Sequence, residues 1–452
     1  MSKNTSLTGR ELFNINFGFF GVQIAYALQS ANISRIFATL GADPHQLSFF
    51  WILPPLMGMI VQPLVGKYSD RTWCRMGRRK PYLLGGAIVA VLVMLLLPNS
   101  GSIDFGQKLM LGLNGAMWFG LFSLIFLDTS INVAMQPFKM MVGDMVGDNQ
   151  KAKGYSIQSF LCNAGSLLGY LFPIFFTWIG LANTAPDGVI PDSVIWSFYC
   201  GAAILIICVL YTFFNVKEMP PKEYAQFHGT ATDDDATADA TDATAPEEPN
   251  PGFVKLLCQA PKTFWTVSLV QFFCWAAFLF LWTYTNGAIA HTCWDTTDVA
   301  SAGYQAAGNW VGVLFAVEAV GAMLWALVIP KFKTLKQAYA VSLILGALGF
   351  ASVFFIHNQW LLFASFAFIG VVWGAMLAIP FTFVTNALTH HIGTYLGLFN
   401  CAICLPQIVA AALGGGVLGA VGGSQEAMFL VAAALLVCGA LSTFLIKENH
   451  QK

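Results

Sequence analysis

Charge is what this sequence has least of. Only 10% of its residues are Asp, Glu, Lys or Arg, whereas a soluble globular chain carries about a quarter. The 22 basic and 23 acidic residues nearly cancel, and no basic patch is concentrated enough to suggest nucleic acid as a partner. The ten cysteines are scattered, mostly inside apolar runs, which reads as packing rather than a disulfide framework. Cys401-x-x-Cys404 has redox or zinc spacing, but it falls mid-membrane with no second pair. His390-His391 lacks the H-E-x-x-H order of a zinc enzyme. Gly414 to Gly419 formally matches G-x-G-x-x-G, yet no strand precedes it and no acidic residue follows at the required distance. Gly415 and Gly419 read better as sites of close helix packing. No nucleophile–base pair, metal cluster or long soluble output domain is present. An enzyme is therefore not expected, and neither is a cofactor or a metal.

What the chain has instead is apolar length. Its 452 residues are 57% hydrophobic, with a mean hydropathy of +0.66. The apolar residues come in blocks of roughly 20 or more, enough for a helix to span a hydrocarbon core. The N-terminus is short and polar and the first block is full length, so no cleavable signal peptide is expected. The blocks predict helices at 13–37, 46–68, 81–98, 111–141, 154–180, 193–215, 262–290, 305–330, 336–356, 358–386, 392–420 and 425–446. The expected fold is an all-α membrane protein of twelve transmembrane helices in two six-helix bundles. Between the sixth and seventh spans, an acidic Ala/Thr-rich tract from His228 to Pro251 can bury nothing and reads as a disordered linker. The domain expectation is a bundle over 1–216, a cytoplasmic linker over 217–260 and a second bundle over 261–452. With both termini cytoplasmic, nearly all Lys and Arg fall on the inside and only Arg35 and Lys108 outside, as the positive-inside rule requires. The halves repeat weakly: Pro137-Phe138 in the fourth span has a counterpart in Pro380-Phe381 of the tenth. A parallel repeat of this kind is the plan of transporters in which two bundles rock about a central site.

The fourth span carries Asp128, Asn132, Gln136 and Lys139, at offsets of 4, 8 and 11. On a helix these share one narrow face. Such a stripe cannot face lipid; it lines a protein interior or a water-filled route, where intramembrane acids serve ions and substrates. Asp128 and Lys139 lie roughly 16 Å apart along the axis, too far for an ion pair. Asp128 is the group on this stripe that fits a coupling role better than a scaffold one. Glu318 is a second carboxylate in an apolar helix; proton site, sugar ligand and partner of a basic group remain open for it. Neutral amides and flat aromatics are the groups a sugar needs. The candidates are Gln23, Tyr26, Asn132, Gln136, Gln158, Asn163, Trp275, Trp282, Tyr284, Asn286, Trp373, Asn386 and Asn400, with Gln271 also in the membrane.

The loop after the second span is the most specific signal. Gly66-x-x-x-Asp70-Arg71 is followed by Gly77-Arg78-Arg79. This order resembles the signature loop of the major facilitator superfamily, where it acts as a conformational latch. Further segments are similar to plant sucrose–proton symporters and their animal relatives: Gly21 to Gln29, Leu40 to His45, Met57 to Arg71, Leu127-Asp128-x-x-x-Asn132-x-x-x-Gln136-Pro137, and Leu398-x-Asn400 to Gln407. The resemblance implies that Asp128 is the proton-coupling acid, that Lys139 is the basic residue following it, and that His45 belongs to sugar recognition. The seventh span departs from the plant pattern. Where plants have an Asp-x-Asp-x-x-x-Arg-Glu motif, this chain has Trp282-Thr-Tyr284-Thr-Asn286-Gly-Ala-Ile289. In this it resembles bacterial members often assigned to maltose or related α-glucosides. The expectation is a monomeric, proton-coupled glucoside symporter of a bacterial inner membrane, its partners a sugar, a proton and the bilayer. The rivals are a sodium-coupled or uncoupled carrier and, from another class, a non-transporting sensor.

Overall fold

The computed structural model describes residues 7–103, 112–147, 150–221, 223–224, 257–387 and 392–447. The acidic tract of the linker, the His390-His391 pair and Lys108 lie outside the described residues. Every long element is helical. The helices are α1 (Gly9–Thr39), α2 (Pro44–Phe50), α3 (Leu53–Arg71), α4 (Lys80–Leu96), α5 (Gly115–Met145), α6 (Lys151–Trp178) and α7 (Asp192–Asn215). The second half holds α8 (Lys262–Trp294), α9 (Ala302–Ala326), α10 (Leu335–Phe355), α11 (Leu362–Asn386), α12 (Ile392–Ala420) and α13 (Ala427–Ser442).

Local chemistry sets the ends. Thr8 and Glu11 form a reciprocal capping box at the start of α1, with Thr8 N donating to Glu11 at 2.7 Å and Glu11 N to the Thr8 hydroxyl at 3.3 Å. Asp43 and Gln46 do the same for α2, whose first residue is Pro44. The expected second span is thus two helices rather than one. Pro54 and Pro55 lack the N–H groups that would continue α2, and the chain breaks at Trp51-Ile52 before α3 begins. The span expected to begin at 358 starts at Leu362, because 356–361 form an irregular turn around Asn358.

Among the described residues, eleven helices are long and apolar enough to cross a membrane, α2 and α3 counting as one span. The twelfth membrane helix, α1, is 31 residues long, about 46 Å at 1.5 Å per residue. It falls short in apolarity because it carries Asn14, Asn16, Gln23, Gln29, Asn32 and Arg35, all buried inside the protein. A helix with this content is tolerated where neighbouring helices cover it on every side, and α1 packs against α5, α6 and α7 of its own half and α8 and α9 of the other. In the first half α4 lies on α5 and α7, and α3 on α5; in the second, α8 packs on α12 and α13, α9 on α11, and α10 on α11 and α13. The halves meet where α6 touches α9 and where α2 and α3 touch α12.

Candidate functional site

Between Gly21 and Thr39 every residue of α1 is buried except Tyr26, which is 37% exposed. Because α1 is covered by helices, that exposure opens onto space inside the protein. Asp128 of α5, Cys162 of α6 and Cys404 of α12 lie within electrostatic reach of Tyr26. The same two cysteines are within reach of Lys139, which is also exposed. These residues bound a cavity between the two halves. Asp128 is 2% exposed at its wall. Its Oδ1 accepts a short hydrogen bond from the Gln29 amide, while Oδ2 has no partner among the described residues. One turn on, Asn132 Nδ2 donates to the Asp128 carbonyl at 2.8 Å, and Asn132 Oδ1 accepts from Gln62 at 2.7 Å. Gln136 Oε1 is buried with no partner among the described residues. The polar stripe therefore faces protein and cavity.

The second half contributes an aromatic wall. Trp275, Trp282 and Trp373 form a triangle with centroid separations of 6.4 Å (Trp275–Trp282), 5.7 Å (Trp275–Trp373) and 5.9 Å (Trp282–Trp373). Phe278 backs it at 5.0 Å from Trp373. Trp275 and Trp282 meet because positions seven apart on α8 share a face. The indole N–H of Trp275 and both amide atoms of Asn286 are buried without hydrogen-bond partners among the described residues. The Tyr284 hydroxyl lies beside Ser48 and Gly414, bringing α8 against α2 and α12. Buried polar atoms left open are uncommon in folded proteins and mark places where a ligand or water completes the bonding. Glu318 is buried on α9, near Tyr170 of α6.

The other candidates are placed as follows. Gln158 is tied up structurally, its amide donating to Asn16 at 3.0 Å and to the Phe138 carbonyl at 2.9 Å. Asn163 donates back to Ser159 within α6. Asn386 is the exposed last residue of α11, near the end of the bundle that bears the termini. Asn400 is half-buried on α12, and Gln23 is buried on α1. His45 sits at the opposite end, exposed, with Nδ1 2.8 Å from Asp43. The His45 backbone N–H and ring hold the Asp43 carboxyl below its usual range despite partial burial. Gly415 is where α12 crosses α2: a Cβ there would stand 2.3 Å from the His45 carbonyl oxygen.

Among the described residues, five hydrogen bonds join the halves at the end remote from the termini. Arg35 of α1, 1% exposed, donates to Gln305 at 2.7 Å and to Asn309 at 2.8 Å on α9. Gln305 donates to Thr39 at 3.3 Å, Asn309 to Thr177 at 2.7 Å, and Ser34 to the Trp282 carbonyl at 3.1 Å. A third Arg35 bond, 2.9 Å to Asn183, holds the α6–α7 loop. The guanidinium passes over Gly308, where a Cβ would stand 2.6 Å from its stem. Sequence reading counted Arg35 only as a stray outer charge.

At the other end, the loop between α3 and α4 is closed by charge. Asp70 accepts from Arg78 at 2.5 Å and from Arg79 at 2.6 Å, and Arg79 also donates to Asp144 at 2.8 Å and to Ser69. Burial pulls the Arg78 guanidinium down, but Asp144, Tyr224 and Asp70 outweigh it and hold it above its ordinary range. Glu218, which sequence reading passed over, accepts the backbone N–H groups of Arg78, Arg79 and Lys80 at 2.7 to 3.0 Å. A carboxylate there satisfies the free amides at the start of α4. Gly77 has φ +115°, and a Cβ would stand 2.8 Å from the Glu218 carboxyl. Gly66 offers its carbonyl to Ser69 at 3.1 Å, and Arg71 ends α3.

Comparison with known proteins accounts for this architecture. The Major Facilitator Superfamily profile matches residues 15–297, more than half of the chain. The chain belongs to the Major Facilitator Superfamily. It is similar to sucrose transport protein SUT5 of Oryza sativa subsp. indica, with 24% identity over 480 residues, 95% of this chain and 86% of that protein. It is also similar to proton-associated sugar transporter A of Mus musculus, 30% identical over 155 residues, covering 34% of this chain and 20% of that one. Among solved structures, a D-xylose-proton symporter superposes with TM-score 0.66 at 14% identity, over 98% of this chain and 97% of that one. A bacterial homolog to human lysosomal transporter Spinster, inward-facing and occupied, gives 0.66 at 14%, over 96% of each. At these identities the structures establish the facilitator fold alone. The relatives are transporters, and this facilitator chain is a membrane transporter rather than an enzyme. Among the described residues no three or more His, Cys, Asp or Glu gather to hold a metal ion.

Proposed function

We propose that this chain carries a glucoside, a disaccharide of the maltose or sucrose kind, together with a proton, by alternating access of its two halves. The observation that carries the reading is Asp128: a buried carboxylate on the cavity wall, one oxygen held by Gln29 and the other open. An acid so placed can take a proton from one side and release it to the other. The aromatic wall of Trp275, Trp282 and Trp373 supplies the apolar faces of a sugar site, and Gln136 and Asn286 supply neutral hydrogen-bonding groups. The sucrose and proton-associated sugar transporters among the relatives support the same class. Glu318, on the other half, is the candidate for a second proton or for a sugar hydroxyl.

The two halves, 1–216 and 261–452, work as rocking bundles joined by the 217–260 segment. Closure by Arg35 at the remote end describes a state open towards the termini, which the Lys/Arg asymmetry puts in the cytoplasm. The Asp70–Arg78–Arg79 loop, whose bonds in this state all stay within the first half, is the candidate for the latch that engages the second half in the opposite state. The transporter acts as a monomer in a bacterial inner membrane. The decisive experiment is uptake of labelled maltose, sucrose and related glucosides into proteoliposomes, with pH and sodium gradients imposed separately. Accumulation driven by the pH gradient alone is expected. Accumulation that follows sodium, or mere equilibration, replaces the proton in this scheme; uptake of none of the sugars ends it.

A further inference from the structure

The break between α2 and α3 places one residue that the aromatic wall does not account for. Trp51 stands in that break, 4% exposed. Its indole N–H donates to the Ser34 hydroxyl at 2.8 Å, and Ser34 in turn donates to the Trp282 carbonyl. Its ring lies on Trp282 of the other half, centroids 5.9 Å apart and planes within 22°. Phe50, the preceding residue, is stacked on Phe37 at 3.9 Å, which holds the break against α1. Two near-parallel indoles, one from each half, thus cover each other next to the Trp275–Trp373 wall, at the closed end.

We propose that Trp51 contacts the sugar in the state open at the remote end, forming with Trp282 an entry clamp that closes on itself once the sugar has passed inward. The proposal rests on the glucoside reading above and deepens it. Opening at the remote end must part α1 and α2 from α8 and α9, which draws the two indoles away from each other and frees a flat face on each half. A pyranose ring between two aromatic faces needs roughly 3.5–4.0 Å on either side, about 7–8 Å in all. That is more than the present 5.9 Å. A sugar therefore enters this gap only when the halves separate, and as they close the Trp51–Trp282 stack replaces the Trp51–sugar contact. Trp282 keeps its contact with the sugar from the wall side. The consequence is a sidedness: Trp51 contributes to affinity at the remote face and not at the face bearing the termini.

The test is the apparent KM for maltose and for sucrose, measured in membrane vesicles of the two orientations, for the wild type and for Trp51→Ala, Trp51→Leu and Trp51→Phe. The expected result is a KM raised about tenfold for Ala and Leu at the remote face, unchanged within about twofold at the termini-bearing face, and largely restored by Phe, whose ring still stacks. Should Trp51→Ala fail to reach the membrane, the comparison of Leu with Phe carries the same contrast. An equal rise at both faces, or no rise at either, overturns the clamp while leaving glucoside transport standing. A wild-type protein that carries neither sugar overturns both.

Discussion

The Gln29 amide on α1 donates to Asp128 Oδ1 on α5, and Asp128 Oδ2 has no partner among the described residues. The bond ties the proposed proton site to a helix pair. Any change in the charge of Asp128 changes how strongly α5 holds α1, because a hydrogen bond to an ionised acceptor is roughly twice as strong as one to a neutral group.

Replacing Asp128 with Asn should abolish accumulation against a gradient while sugar exchange at equal concentrations persists. The amide keeps the size and hydrogen bonding of the side chain but cannot titrate. Steady-state accumulation and counterflow in the same proteoliposomes separate the two. Full gradient-driven uptake by the variant would remove Asp128 from the proton route.

Trp282→Ala should weaken apparent sugar affinity about tenfold or more, since losing the apolar contact of a large buried side chain costs roughly 1.5–3 kcal/mol. The dependence of transport on pH should survive, because Asp128 lies on the other half. Sugar affinity measured across a pH series for both proteins decides the point. An unchanged affinity throughout the sugar panel would put the platform elsewhere.

Arg35→Gln removes the donors that reach Gln305, Asn309 and Asn183. Hydrogen bonds from a charged donor contribute roughly 1.5–3 kcal/mol each, so the closed state should lose at least about tenfold in population. Spin-label distances across the remote end, between α1 and α9, should lengthen in the absence of sugar. A distance distribution identical to wild type would show that closure there rests on packing alone.

Gly77→Ala should lower the Tm in detergent, because φ is +115° and the new methyl meets the Glu218 carboxyl. Backbone strain of this sort costs about 1–3 kcal/mol. Glu218→Ala should cause a separate loss by stripping the start of α4 of its acceptor. If Gly77→Ala is neutral in Glu218→Ala but harmful in the wild type, the clash with Glu218 is the cause; equal harm in both assigns it to the backbone angle.

The repeated apolar blocks made the helices legible, and Asp128 stood out because a carboxylate in such a block has few innocent explanations. The interruption at Trp51 was harder to see. Pro54 and Pro55 were in plain view, but proline is well tolerated in a first helical turn, so the run from 46 to 68 read as one helix. Gln29 was not legible as the partner of Asp128. Six residues separate it from Gln23, about 120° round the helix, which put it on another face; Tyr26 lies between them, and α5 reaches that intermediate sector. Arg35 and Glu218 were illegible because their partners are distant in sequence. The three amides holding Arg35 come from Asn183, Gln305 and Asn309, and nothing local to any of them announces an arginine. Of the remaining candidates, Gln158 bonds across helices to Asn16 and Phe138, Asn163 bonds within its own helix and Asn386 ends one, a background of structural polar groups that a membrane helix bundle contains.

The seam at the remote end joins arginine, serine and threonine to amides and a backbone carbonyl, with no carboxylate in any of its five bonds. None of these acceptors titrates in the physiological range. A valve fastened by carboxylates would loosen in acid. This one keeps the same stiffness on either side of neutrality, so under the proposed proton coupling the response to acid falls to the cargo chamber and not to the door.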